Sequence, residues 1–298
     1  MAGISGKLRT ALQITIELML RAVGTVPNID STADSLRLLI ETGGSISRFG
    51  DGELNTLLGG GQKFQQYDES LASRLIEILE SAGVNEPNHY VAIPRSMASL
   101  RGLTGESKSF WLIWSAQNRK EMKRFYGKGR HYLDSQISRF YINRRNREDS
   151  SAYLASWKNL WAGKRILLVE GALTRFGVGS DLFENAESVH RVLCPASDAW
   201  ASYDRILEAT REQIRLLSVN LVLIALGPAA TVLAFDLSGD GVQAIDAGNL
   251  DIEYEWYRRE VRKRVPIEGK YSHEVEGGTD VADATDRKYL EETVARVE

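Results

Sequence analysis

A chain of 298 residues, 43% hydrophobic and 26% charged, has enough apolar material for one large core or two small ones. Its net charge of −3 gives no general basic footprint for nucleic acid. The single cysteine, Cys194, excludes internal disulfides and fits a reducing cytoplasm, and the four histidines form no pair at zinc-ligand spacing.

Residues 7–23 put Leu8, Leu12, Ile16, Met19, Leu20 and Val23 on one helical face and Arg9, Gln13, Glu17 and Arg21 on the other. This is an amphipathic helix. The charges leave its uncharged run too short to span a membrane, and no signal-peptide layout precedes a cleavage site. Two readings stand: a helix docked on the domain or on a second subunit, or one lying in a membrane interface. Pro27 and Asn28 close this segment, so residues 1–28 are set apart from a domain expected over 29–276. Ser31 or Thr32 caps a helix from Ala33 to about Glu41, which Gly43-Gly44 ends.

The next segment is Ser47-Arg48-Phe49-Gly50-Asp51-Gly52-Glu53. If it is extended, Asp51 and Glu53 point to the same side and address one cation together. Gly50 and Gly52 let a ligand approach the main chain. Hard oxygen ligands with open positions suit Mg²⁺ or Mn²⁺ carrying a diphosphate, although Asp-Gly-Glu is also an ordinary turn. Between 84 and 162, His89–Ile93 reads as a strand before Pro94. From Arg119 to Glu148, ten Lys or Arg stand against three Asp or Glu, interleaved with aromatics. A solvated helical face is the default reading of that run, and a surface for an anionic headgroup or a lipid-linked acceptor is the functional one.

From Arg165 the chain alternates strands with helical stretches. Strands are expected at 165–170, 189–194, 220–226 and 242–246, each ending in a glycine- or carboxylate-rich corner. That order implies crossover connections and a mostly parallel sheet, an α/β fold of Rossmann-like type, with ligands outside the carboxyl ends of the strands. The corner Arg175 to Phe183 looks like a glycine loop feeding a helix, with Gly177, Gly179, Ser180 and Asp181 as candidate phosphate contacts. Leu182 stands where a dinucleotide fingerprint needs a third glycine. Gly227, Pro228 and Thr231 offer a second helix N-terminus of the kind that favours phosphate. In both loops glycine equally permits tight strand-to-helix packing. Arg48 and Arg175 either pair with phosphate oxygens or tie loops to carboxylates. After the last strand come Asp246, Asp251, Glu253 and Glu255. Extended, the last three share a face, and mutual repulsion raises at least one pKa to make a general base. Helical, they are acidic residues at a helix N-terminus. Residues 277–298 are expected to be a polar tail, loosely attached or a short helix around 285–296. Cys194, at a strand end, is expected to be a buried structural thiol.

The segments SRFGDGE (47–53), VEGALTRFGVGSDLF (169–183), ALGPAATVLAFDL (225–237) and AIDAGNLDIEYEW (244–256) resemble, in order, the signature blocks of GT-D-fold glycosyltransferases, bacterial enzymes of surface-glycan and glycoprotein assembly. Shorter similarities at 64–68, 137–139 and 269–274 agree. The resemblance implies transfer of a sugar from a nucleotide-sugar, with UDP the first expectation, to a glycan, glycoprotein or lipid-linked hydroxyl. It implies Mn²⁺ or Mg²⁺ on the Asp-x-Glu motif, which falls on Asp51 and Glu53, with Asp251 or Glu253 as the base. The chain departs from the family pattern at Asn249, where many relatives carry His; Asn offers a carbonyl oxygen but cannot shuttle a proton. A metal-dependent phosphohydrolase and a non-catalytic nucleotide-binding subunit are the competing readings. The expected location is cytoplasmic, at the inner face of the membrane if the helix at 7–23 binds lipid, and the helix also leaves room for a homo-oligomer.

Overall fold

The computed structural model describes residues 2–82, 88–126, 129–282 and 284–298, with side chains from residue 6 onward. The elements run α1 (Ala2–Ala22), α2 (Thr32–Thr42), β1 (Ser45–Arg48), α3 (Asp51–Leu57), α4 (Glu69–Ser81), β2 (His89–Ile93), α5 (Gly105–Met122), β3 (Leu133–Asp134) and α6 (Ser150–Trp161). They continue with β4 (Arg165–Gly171), β5 (Ser188–Cys194), α7 (Tyr203–Leu217), β6 (Leu221–Ala225), α8 (Pro228–Ser238), β7 (Gln243–Asp246), α9 (Leu250–Arg258), α10 (Arg287–Glu292) and β8 (Thr293–Arg296). The strands form one sheet in the order β3-β2-β1-β7-β6-β4-β5-β8, and every recorded pairing between them is parallel. The fold is α/β.

Both faces of the sheet are covered, which is why its central strands read as unbroken apolar runs rather than alternating ones. In β4, Leu167 and Val169 enter a core shared with α4, α5, α7 and α8. Ile166 and Leu168 point the other way, into a core shared with α2, α6 and α9. The α2 signals hold in detail: Ser31 accepts from the Asp34 amide at 3.0 Å, and Gly43 closes the helix in the left-handed conformation. Cys194 is buried, and burial pushes its thiol up to about 12.

The structure overturns some expectations and decides between others. The loop after β4 feeds no helix; residues 172–187 are turns that lead straight into β5. Residues 250–258 are helical, so Asp251, Glu253 and Glu255 do not share one face. The C-terminal stretch is not a loose tail: the short helix expected there is α10, and it leads into an unexpected strand, β8, which pairs with β5. Arg191 of β5 holds this end through Glu292 at 2.8 Å, and Tyr289 is buried. A sheet edge as apolar as β5 needs such cover, and Val294, Ala295 and Val297 supply it.

The helix α1 docks on the domain, as one of its two readings expected, but the opposite way round from an ordinary amphipathic helix. Glu17 is buried and pairs with Arg21 at 2.8 Å and Arg119 at 2.9 Å, while Arg21 also donates to Ser115 Oγ at 3.0 Å. The polar face docks on α5. Leu8, Leu12, Ile16, Met19 and Val23 face outward, between 46% and 74% exposed. The cationic stretch 119–148 does not form one surface either. Trp111, Trp114, Phe125, Tyr132, Phe140 and Tyr141 are core residues, and Arg119, Arg139 and Arg144 turn inward to partners on other elements.

Candidate active site

The ends of β1, β4, β5, β6 and β7 open into a cavity of about 590 Å³, closed on its far side by the first turns of α5 and by residues 271–274. Its position is that expected of a ligand site in a parallel sheet, beyond the carboxyl ends of the strands.

Arg48, the last residue of β1, points along the cavity floor. Its Nη1 donates to Ser135 O at 2.8 Å and to Ser138 Oγ, and its Nε lies 3.6 Å from Asp246 Oδ1 at the end of β7. Asp246 also accepts from the Gly248 amide at 3.1 Å, and Thr231 Oγ1 is 3.2 Å from it. Burial raises the Asp246 pKa, while Arg48 works against the rise.

The Asp51-Gly-Glu53 segment is the first turn of α3, not a strand, so its two carboxylates do not project side by side. Glu53 folds back to accept the Gly50 amide at 2.7 Å, satisfying a donor the helix would otherwise leave open. Asp51 is exposed to the cavity. Burial, and then the charge of Asp246, push Glu53 up to about 7, with Asp51 adding to the effect. Three carboxylates therefore crowd one end of the cavity, with Arg48 beside Asp246 and Arg139, itself tied to Glu274, acting on Asp51. Among the described residues no group of three or more acidic, His or Cys side chains is placed to hold a metal ion by itself. The donor set fits a hard divalent cation bound through one or two carboxylates, with its other positions left to water and phosphate oxygens.

Gly227 caps α8 with φ 55 and ψ −145, a region essentially confined to glycine, and a Cβ there would come within 2.6 Å of Phe64. The α8 N-terminus consequently opens on the cavity against the Phe64 ring, which stacks on His273 at 4.3 Å.

The cavity gathers Arg48, Gly50, Asp51, Gly52, Glu53, Gly227, Asp246, Asn249 and Asp251 from the residues singled out in the sequence and leaves out the others. Arg175 turns away to hold Gly269 O at 3.1 Å and Ala282 O, binding the C-terminal segment to the domain. Gly177, Gly179, Ser180 and Asp181 lie off the cavity; Asp181 takes Tyr254 Oη and, at 3.1 Å, Lys158. Pro228 and Thr231 are buried beneath the rim, where Thr231 Oγ1 donates to Arg48 O at 2.9 Å. Glu253 is fully buried. Its Oε2 accepts the amides of Tyr141 and Ile142 at 3.1 and 3.0 Å, so it braces the 139–142 loop and does not reach the cavity. Asp251 does line the cavity, held by Lys270 at 2.7 Å and by the Gly177 amide at 2.8 Å. Burial raises its pKa against the pull of Lys270.

Arg139, His273 and Glu274 line the cavity without having been singled out from the sequence, except as members of short similar blocks. Arg139 meets Glu274 through both terminal nitrogens, and Asn249 donates to the same carboxylate. Burial pushes Glu274 up, but Arg139, with Arg264 and His273 adding to it, holds the carboxyl below its ordinary value. Ion pairs between residues 135 positions apart leave no local sequence pattern by which to find them.

A family model described as "Glycosyltransferase GT-D fold" matches residues 46–275. The chain belongs to the GT-D glycosyltransferase family. It is 32% identical over 267 residues to a probable glycosyl transferase, Gly, of Streptococcus gordonii, and 32% identical over 272 residues to glycosyltransferase GlyD of Streptococcus pneumoniae serotype 4. These alignments cover 90% and 91% of this chain but only 38% and 32% of the relatives, so the chain spans about a third of their length. Among solved structures, one described as domain of unknown function 1792 with a distinct glycosyltransferase fold superposes with a TM-score of 0.87 at 33% identity, covering 95% of this chain and all of that one. Another, a glycosyltransferase of the same domain from Streptococcus sanguinis, gives 0.84 at 33% identity, covering 91% of this chain and all of that one. The GT-D match takes in every strand from β1 to β7 and ends just beyond Glu274.

Proposed function

We propose that this GT-D chain transfers a sugar from a nucleoside-diphosphate sugar, with UDP the first candidate, to a hydroxyl of a glycan, glycoprotein or lipid-linked acceptor. The observation that carries the reading is the crowding of Asp51, Glu53 and Asp246 beside Arg48 at the strand ends. Such a site is short of positive charge and opens toward the N-terminus of α8, which favours phosphate. In this reading Asp51 and Glu53 hold Mn²⁺ or Mg²⁺, and the bound ion supplies Lewis-acid stabilisation of charge on the departing diphosphate. Arg48 and the amides around Gly52 and Gly227 orient the phosphates against that charge. Asp251 takes the acceptor proton: of the two candidate bases it is the one that lines the cavity, and Lys270 favours its ionised form.

The test is donor turnover with and without acceptor in EDTA, followed by restoration with Mn²⁺ or Mg²⁺. Full turnover in chelator would remove the metal role. Release of free phosphate without acceptor dependence would make the protein a phosphohydrolase. Nucleotide binding with no turnover on a broad acceptor panel would make it a binding subunit.

A further inference from the structure

The outward face of α1 has no use in the cavity chemistry. Leu8, Leu12, Ile16, Met19 and Val23 recur at helical spacing along one stripe, all at least 46% exposed, and Leu18 beside them is 48% exposed. The stripe does not face outward for want of anchoring. The opposite face is fixed by the buried Glu17 carboxylate between Arg21 and Arg119, and removing one member of such a buried set leaves the others uncompensated. The docking holds the apolar side away from the domain.

What covers it follows from shape and charge. From Leu8 to Val23 the stripe is about 22 Å long and one helix, about 10 Å, wide. That is a small fraction of the roughly 800 Å² per partner that a stable protein interface buries. Contacts of Arg21 with Ser115 and of Glu17 with Arg119 show that α1 and α5 run antiparallel, so the start of α1 lies toward the end of α5. Exposed Lys7 and Arg9 on α1 therefore accompany exposed Lys120, Lys123 and Arg124 on and just after α5, with Glu121 the exposed acid among them. No helix of the described residues is long and apolar enough to cross a membrane. An apolar stripe with exposed cations gathered toward one end fits the boundary between acyl chains and anionic headgroups. We infer that α1 docks this protein, in plane, on an anionic phospholipid surface. The cavity wall supplied by Glu106 to Trp111 then lies at the Val23 end of the helix pair, within reach of an acceptor held at that surface.

The inference is independent of the proposed reaction, and its test uses no nucleotide. The full chain is floated with vesicles of phosphatidylcholine containing phosphatidylglycerol, and with vesicles of phosphatidylcholine alone. The wild type should rise with the anionic vesicles, and raising the salt from about 0.1 M to about 1 M should weaken binding as surface charge is screened. The double variant Leu12→Gln/Met19→Gln, exposed at both positions and so expected to melt like the wild type, should lower vesicle partition by about tenfold or more. Lys7→Glu/Arg9→Glu should abolish the preference for anionic over neutral vesicles. A folded wild type that stays unbound with anionic vesicles overturns the inference. So does a dimer by light scattering that Leu12→Gln/Met19→Gln converts to monomer, because the stripe would then belong to a second copy.

Discussion

Two glycine-rich corners of this chain look alike in sequence and differ in what their surroundings leave free. The corner between β1 and α3 presents Asp51, Gly52 and Glu53 to the cavity. The corner after β4 has its amides already taken: Phe176 N–H donates to Glu170 at 2.7 Å and Gly177 N–H to Asp251 at 2.8 Å. Internal carboxylates occupy the positions where phosphate oxygens would sit. In the first corner Glu53 takes the Gly50 amide, at 2.7 Å, and the corner still lines the cavity. Glycine and a turn are thus not enough for a ligand site, which also needs a carboxylate or amide left facing the cavity.

The sharpest way to break this contrast is to remove the acidic ligands of the first corner. Asp51→Asn and Glu53→Gln should fold, since Gln at 53 keeps the oxygen that accepts the Gly50 amide. Turnover should fall on the order of 10²-fold or more, and titration calorimetry should lose the gain in nucleotide affinity brought by Mn²⁺. Wild-type turnover in both would empty the corner of its role.

Glu253 gives the next largest effect. Glu253→Ala strands the Tyr141 and Ile142 amides and should destabilise the fold by about 1–3 kcal/mol in urea unfolding. Glu253→Gln keeps an acceptor and should hold turnover within a few-fold. A hundredfold loss in Glu253→Gln at unchanged stability would return the base to that residue.

In the second corner a Cβ at Gly177, where φ is +74, would come within 2.6 Å of the Phe183 ring. Gly177→Ala should therefore cost about 1–2 kcal/mol of stability and leave donor affinity unchanged. A selective loss of donor binding would make the two corners alike after all.

The smallest effect lies beneath the first corner, where His89 Nε2 meets Ser47 Oγ at 2.9 Å. Burial lowers the His89 pKa to about 4. The unfolded chain takes up this proton first, so the contribution of neutral His89 is intact above the unfolded value and is lost as pH falls toward 4. Between pH 7.5 and 5.5 this loss amounts to about 1 kcal/mol. Paired urea melts should show the wild type losing about that much more than His89→Gln over the same interval. Parallel losses would show that the imidazole is not the source.

The strands from β4 to β7 were legible because buried parallel strands write themselves as short apolar runs with punctuated ends. So was the capped helix α2, whose Ser31 and Gly43 signals are local. β8 was not legible: Thr293 to Arg296 carries no apolar run and is a strand because β5 offers it an edge. The outward stripe of α1 was visible as a stripe, but its direction was not. The buried trio Glu17, Arg21 and Arg119 joins residues that sequence periodicity treats as solvent-facing. In the cavity, the resemblance marked Arg139, His273 and Glu274 only as fragments, because their association depends on loops meeting across the sheet.

β7 sits between two sets of strands that otherwise share no hydrogen bonds: β3, β2 and β1 on one side, and β6, β4, β5 and β8 on the other. Its four residues join Ile46 of β1 to a partner, Ile245, about 200 positions later in the chain. Contacts so distant in sequence form slowly. While the ribosome is still short of Asp246, Arg48 lacks its carboxylate partner at the end of β7 and the cavity has no complete floor. Any molecule that binds in this cavity can therefore assist folding only late, after nearly the whole domain has been made.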